Sequence, residues 1–254
     1  MDLAEQAVVV TGAGSGMGKA TACRLARRNA LVAALDIAAK PVLALAQELG
    51  GLGIECDVGS ESSVRTAIQR VVAEFGPPRV LVNCAGIAAA QRISGRKGPH
   101  DLGLFQKVIR TNLVGTFNMM RLVAEEMKQL DPVGESGARG VMINTASVAA
   151  YEGQIGQAAY SASKGGVVAL TLPAARELAQ FGIRVVTVAP GLIGTPMLHA
   201  MPEEVQASLA SQVPFPRRLG SADEFAALVE HIIDNEMLNG EVIRLDGAIR
   251  LQPE

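Results

Sequence analysis

A short apolar run rich in β-branched residues, Ala7 to Thr11, breaks into Gly12-Ala-Gly-Ser-Gly-Met-Gly18 and then into a helical pattern, Gly18 to Arg28. No other feature limits the fold of this chain so tightly. A buried strand that turns sharply into a helix aims the helix's free N–H groups, and its partial positive charge, at the end of the strand. Gly12 permits the tight turn, Gly16 lets the backbone approach a pyrophosphate, and Gly18 lets helix pack on strand. Ser15 and Met17 complete the turn. The spacing is T-G-x-x-x-G-x-G; Met17 stands where the third glycine of G-x-G-x-x-G would fall. A glycine-rich turn alone is equally a flexible loop. Its place between a first strand and a helix makes it a dinucleotide site.

The rest of the chain repeats the rhythm. Apolar runs at Leu31 to Asp36, Gly53 to Asp57, Val80 to Asn83, Val141 to Thr145, Ile183 to Val188 and Glu241 to Leu245 read as buried strands. Helical patterns lie between them, as at Ser60 to Phe75 and Ser221 to Asn235. Strand and helix in alternation imply right-handed crossovers and a parallel sheet of about seven strands. The expected fold is one α/β domain, a doubly wound Rossmann-type unit over 1–254. Hydrophobic residues make up 49% of the 254, but aromatics only 3%, so the core is aliphatic, as strands buried on both faces require. Two polar or Pro-rich segments interrupt the pattern: a substrate insertion at 93–103 and a lid at 192–218. Both follow strands, where open α/β sheets hold ligands.

A net charge of -2 offers no electrostatic argument for nucleic acid or a membrane surface. Cys23, Cys56 and Cys84 have no metal-ligand spacing, so no metal is expected, and their odd, sparse count favours a reducing compartment. The opening residues carry neither a basic start nor a long apolar run, so a cytoplasmic protein is expected.

Asp36 ends the second run about twenty residues past the glycines, where a carboxylate accepts hydrogen bonds from the ribose hydroxyls. It would repel a 2′-phosphate, and no arginine follows it directly, which favours NAD over NADP; Lys40 is the one nearby cation. The competing reading of Asp36 is a cap for the next helix. Asp57 and Val58 suit the adenine, with an N-cap for the following helix nearly as good a reading of Asp57. Cys84, Ala85 and Gly86 are small enough to let adenosine lie against backbone. Cys84 reads as a buried thiol without a redox role.

The strongest chemical signal is Ser147 followed by Tyr160-Ser-Ala-Ser-Lys164. On a helix Tyr160 and Lys164 share a face, one turn apart. A phenol titrates near about 10, and a neighbouring ammonium should lower that value. Tyr160 would then take the hydroxyl proton as hydride leaves the same carbon. Lys164 would also hold the nicotinamide ribose, and Ser147 the substrate oxygen. Asn112 would anchor a water linking Lys164 to solvent. Ser147, Gln157 and Tyr160 are the expected substrate contacts. Pro190 and Gly191 begin the segment over the nicotinamide, with Ile193 packing on it and Thr195 bonding its carboxamide.

Together these residues resemble the short-chain dehydrogenase/reductase family along the whole chain. The stretches Asn83 to Ala88, Thr145 to Gly166, Ala189 to Met197, Ser211 to Gly220 and Leu238 to Arg250 resemble the branch acting on 3-hydroxyacyl-CoA. The resemblance implies NAD, oxidation of 3-hydroxyacyl-CoA to 3-oxoacyl-CoA, tolerance of other secondary alcohols including steroids, and a homotetramer. It also implies pairing of subunits through the Tyr160 helix, lined with small residues, and its neighbour around Asn112 to Met127, and again through the C-terminal strand. Arg92, Arg96 and Lys97, in or beside the insertion, are candidates for the coenzyme A phosphates, with a solvated loop an equal reading. Two other functions compete. One is reduction of 3-oxoacyl carrier protein with NADPH, which Asp36 opposes. The other is a non-catalytic NAD-binding scaffold, which an intact Ser147, Tyr160 and Lys164 oppose.

Overall fold

The computed structural model describes residues 1–253 except 97, 196, 197 and 199–201. Strand β1 (Ala7–Thr11) runs into helix α1 (Gly16–Ala26), and the alternation continues through β2 (Leu31–Asp36), α2 (Ala39–Leu49), β3 (Leu52–Glu55), α3 (Glu61–Phe75) and β4 (Val80–Asn83). The insertion folds as a two-residue hairpin, β5 (Ser94–Gly95) against β6 (Gly98–Pro99), before α4 (Leu102–Ile109). A π-helical turn, Arg110–Val114, joins α4 to α5 (Gly115–Met127). Then come β7 (Gly140–Thr145), α6 (Ala158–Leu178), β8 (Ile183–Pro190), α7 (Glu203–Ser211), α8 (Ala222–Asp234) and β9 (Val242–Leu245).

Seven strands form one parallel sheet in the order β3-β2-β1-β4-β7-β8-β9. The side-chain alternation of β1 shows why both faces need helices. Val8 and Val10 pack with Leu25 of α1 and Phe225 and Ile232 of α8. Val9 points the other way, among Val64 of α3 and Met119 of α5. All of these are essentially inaccessible to water, and each aliphatic side chain so buried contributes about 1.5–3 kcal/mol. No described helix is long and apolar enough to cross a membrane, and the three cysteines are free.

The differences from the sequence reading are small and have local causes. Helix α1 starts at Gly16, two residues early, so the N–H groups of Gly16, Met17 and Gly18 form its unpaired first turn. Strand β3 stops at Glu55, because the Asp57 carboxylate accepts the Gly59 N–H and turns the chain. Strand β8 gains two residues by pairing Ala189 with Arg244 and Pro190 with Leu245. The lid segment contains a helix, α7, with Glu203 and Glu204 in its first turn.

The strand order reverses direction between β1 and β4. Open α/β sheets leave a crevice at the carboxyl ends of the strands at such a switch point.

Candidate active site

That crevice is a cleft of about 630 Å³ lined by residues from nearly every βα connection. At one end is the glycine turn. A Cβ on Gly12 would lie 2.7 Å from the Ala85 backbone nitrogen, and Gly12 has φ +65. A Cβ on Gly18 would overlap the Gly12 carbonyl at 2.2 Å. The turn and α1 therefore meet backbone to backbone, as the sequence pattern requires. Ser15 is the N-cap but makes no side-chain cap hydrogen bond, so the first turn of α1 faces the cleft with its donors unspent. Thr11 ties the turn to the next strand end: its hydroxyl accepts the N–H groups of Cys84 (3.2 Å) and Ala85 (3.1 Å).

Asp36 lies beside this turn. One carboxylate oxygen accepts the Gly14 N–H and the other the Ala38 N–H, each at 2.9 Å. Helix α2 is preceded by Ala38 and has no side-chain cap, so Asp36 does not serve as that cap. Its two oxygens are held in place on the cleft wall. Asp57 and Val58 also line the cleft; the cap of α3 is Ser60, which accepts the Ser63 N–H. Arg110 approaches Asp57 at 3.9 Å.

The other end of the cleft gathers the chemical groups. Ser147 ends the β7 connection, and its hydroxyl accepts the Ala149 N–H at 3.1 Å. Tyr160 lies in the first turn of α6, and Lys164 one turn on. Lys164 is buried and donates to the Thr145 carbonyl at 2.7 Å. Desolvation brings its ammonium down to about 8, so near neutral pH it is still mostly charged. Burial pushes the Tyr160 phenol above its ordinary value, and the Ser147 hydrogen bond pulls against that rise. The expected depression of the Tyr160 pKa by Lys164 is therefore corrected for the protein alone. The ammonium lies 5.8 Å from the ring centre and is engaged with Thr145, so desolvation wins. Cys84, beside them, is pushed up to about 12 by burial and stays a thiol.

Asn112 is fully buried in the π-helical turn. Its side chain accepts the Ile87 N–H (2.8 Å) and donates to the Ile87 carbonyl (2.9 Å) and to Ser163 (3.0 Å). A Cβ on Gly86 would come within 3.3 Å of the Asn112 Oδ1 and 3.5 Å of the Lys164 Nζ. Asn112 thus holds the Gly86–Ile87 backbone close to Lys164 without lining the cleft. Single turns of this kind recur at functional sites.

Pro190, Gly191, Ile193 and Thr195 line the cleft. Ile193 is anchored by a bridge to Gly220. Gln157 does not join them. It precedes α6, and its side chain is spent on Gln154, accepting that residue's N–H at 3.1 Å. It is not among the residues that line the cleft. Arg92 lines a separate hollow of about 440 Å³, with Ile93 and Ser94 against Gly153, Gln154 and Ala158. Arg96 is at the hairpin turn, and Lys97 lies outside the described residues. Ile87, Ala88, Lys107 and Thr111 line the cleft without having been singled out. Lys107 and Thr111 stand four apart across the α4 boundary, and that spacing was the available signal.

A family model described as short chain dehydrogenase matches residues 6–206. A human protein named 3-hydroxyacyl-CoA dehydrogenase type-2 is 56% identical over 249 residues, covering 96% of this chain and 95% of that protein. The Drosophila melanogaster protein of the same name is 50% identical, with 96% and 97% covered. A solved structure titled 3-hydroxyacyl-CoA dehydrogenase type-2 from Mycobacterium avium superimposes with a TM-score of 0.93 at 45% identity, over 98% of this chain and 97% of that one.

Proposed function

The chain belongs to the short-chain dehydrogenase family, and from that premise we propose that it oxidises 3-hydroxyacyl-CoA to 3-oxoacyl-CoA with NAD. One observation carries the reading. Ser147, Tyr160 and Lys164 open onto the same cleft as the glycine turn and Asp36, at its opposite end, while relatives at 50–56% identity bear the name of that activity.

The residues fit a dinucleotide. The unspent donors at the start of α1 suit a pyrophosphate, the close approach at Gly12 leaves no room for a side chain there, and Asp36 presents fixed oxygens to a ribose. Bound NAD would supply the hydride acceptor. The chain's own residues do the rest. Ser147 orients the substrate hydroxyl, Tyr160 takes its proton at the phenolic oxygen, and Lys164 holds the ribose and keeps positive charge beside the proton acceptor. Burial of Lys164, with Tyr160 half-buried beside it, limits the competition of water for those contacts. Asn112 braces the backbone under Lys164. Ile193 and Thr195, on the cleft wall, would cover the nicotinamide. Hydroxysteroids and other secondary alcohols fit the same chemistry.

Val114, Phe117 and Leu172, on the α5 and α6 side, expose 48%, 50% and 45% of their surface. That supports the homotetramer implied by the family resemblance, with closed twofold symmetry. The free, sparse cysteines suit a reducing compartment, and the cytoplasm is the location proposed.

Initial rates with NAD and a chain-length series of 3-hydroxyacyl-CoA thioesters test the assignment. Turnover of at least one member is expected, and none would remove the acyl-CoA reading. A second expectation concerns the dinucleotide. The wild type should prefer NAD strongly over NADP. Asp36→Ala combined with Ile37→Arg should weaken or reverse that preference, because Ile37 is exposed on the cleft wall beside the carboxylate. Equal use of both cofactors by the wild type would remove Asp36 from this role.

A further inference from the structure

Between Ser147 and the start of α6 at Ala158 the chain makes a long excursion outside the sheet, with a single 3-10 turn at Val148–Ala150. It turns at Val148–Ala150, passes Glu152, and re-enters at Gln157 before α6. The relative placement of the two hydroxyls depends on this excursion. Its middle is held by charge. Glu152 receives both ends of the Arg244 guanidinium, at 2.9 and 3.1 Å. Arg244 reaches back to Asp246 at 2.7 Å and stacks over the Tyr151 ring at 5.4 Å. Arg250 adds contacts to Glu152 (3.4 Å) and Asp246 (3.2 Å). The C-terminal segment then straps the excursion from outside: the Leu251 N–H donates to Glu152 (3.3 Å), and the Ile155 N–H to the Pro253 carbonyl (2.9 Å).

The same cluster touches the opposite wall of the cleft. Asp246 packs against Gly191, where a Cβ would come within 2.9 Å of it, and the Gly191 N–H donates to the Leu245 carbonyl at 2.9 Å. Gly247 supports the base of the lid segment: its carbonyl accepts the Phe215 N–H at 3.3 Å. Planar two-point pairing fixes direction as well as distance, and three of the four charged side chains are a quarter exposed or less.

We infer that Arg244 and Glu152 are positioning residues for Tyr160, locking the Ser147–Tyr160 excursion to the Pro190–Gly191 wall through the C-terminal segment. The inference rests on Tyr160 as proton acceptor. It adds that the acceptor's placement is set by β9, more than eighty residues further along the chain. Neither side chain lines the cleft, so both act through the excursion. A misplacement of about 1 Å by a distant change can cost about 10²-fold in rate.

The chain has two tyrosines and no tryptophan. In a Tyr151→Phe background, the ultraviolet absorbance of phenolate therefore reads Tyr160 alone, with no substrate present. Arg244→Gln and Glu152→Gln, made singly and together in that background, should each lower kcat at least about tenfold. The KM for NAD should stay within about threefold, since the glycine turn and Asp36 are untouched. The phenolate midpoint should move upward as the Ser147 hydrogen bond loosens. The double variant should lose no more than the worse single, because both cut one link. An unchanged kcat would overturn the inference. So would a loss of kcat that follows melting temperature and NAD affinity while the phenolate midpoint stays put, since the cluster would then only hold the tail down. Should the wild type fail on every acyl-CoA, the acyl-CoA reading falls, and the phenolate titration still decides the positioning claim.

Discussion

Tyr160→Phe is expected to lose about 10²–10⁴-fold or more in turnover while binding NAD almost as well as the wild type. The ring would keep its packing in the first turn of α6, and only the oxygen that takes the proton would go. Because burial raises the Tyr160 pKa and Ser147 lowers it, Ser147→Ala should act in the same direction by a second route. It removes the orienting hydroxyl and leaves the phenol harder to ionise, so activity should recover only toward higher pH. Isothermal titration with NAD and steady-state rates separate the two effects. Near wild-type rates for Tyr160→Phe would take this residue out of the chemistry.

Lys164→Met should be the other severe change, and it should have two signatures. The first is kinetic: both kcat and the KM for NAD should worsen, since in the proposed mechanism the ammonium would serve the ribose and the proton acceptor together. An unchanged KM for NAD would contradict the ribose contact. The second is thermodynamic. The folded pKa of Lys164 is about 8, below the value of about 10.4 for an unfolded lysine. The unfolded chain therefore binds the proton more tightly, and the charged side chain opposes folding. That penalty is fully present below pH 8 and fades as pH rises toward the unfolded value. A difference of roughly two units corresponds to about 3 kcal/mol. The methionine variant should therefore gain stability over the wild type, as a larger unfolding free energy, by about that amount more at pH 7 than near pH 10.5. Chemical denaturation of the cofactor-free proteins at the two pH values measures it. A pH-independent difference would mean that Lys164 is not desolvated in the folded state. A buried charge kept at a cost to stability is the usual mark of a functional site.

The spacing of the residues alone determined the alternation of strand and helix, the parallel sheet, the glycine turn and the Ser147, Tyr160 and Lys164 set. These were legible because each rests on a local rule. A continuous aliphatic run suits a strand buried on both faces, a glycine allows a backbone contact that no side chain permits, and a separation of four aligns two side chains on a helix. Even strand boundaries came within two residues, and where β3 ends two residues early the Asp57 carboxylate turns the chain. Tertiary structure decided what depends on packing between distant segments. Gln157 sits close to Tyr160 in sequence yet turns to Gln154. The Tyr160 pKa depends on burial, which a neighbouring lysine in sequence does not reveal. Asn112 takes its buried place against Ile87 and Ser163 only because α4, the strand-end loop and α6 meet there. The pairing of Glu152 with Arg244 spans 92 positions and follows no period. It exists because the parallel sheet brings the end of β9 beside the loop that leaves β7, and only the folded chain makes those two ends neighbours.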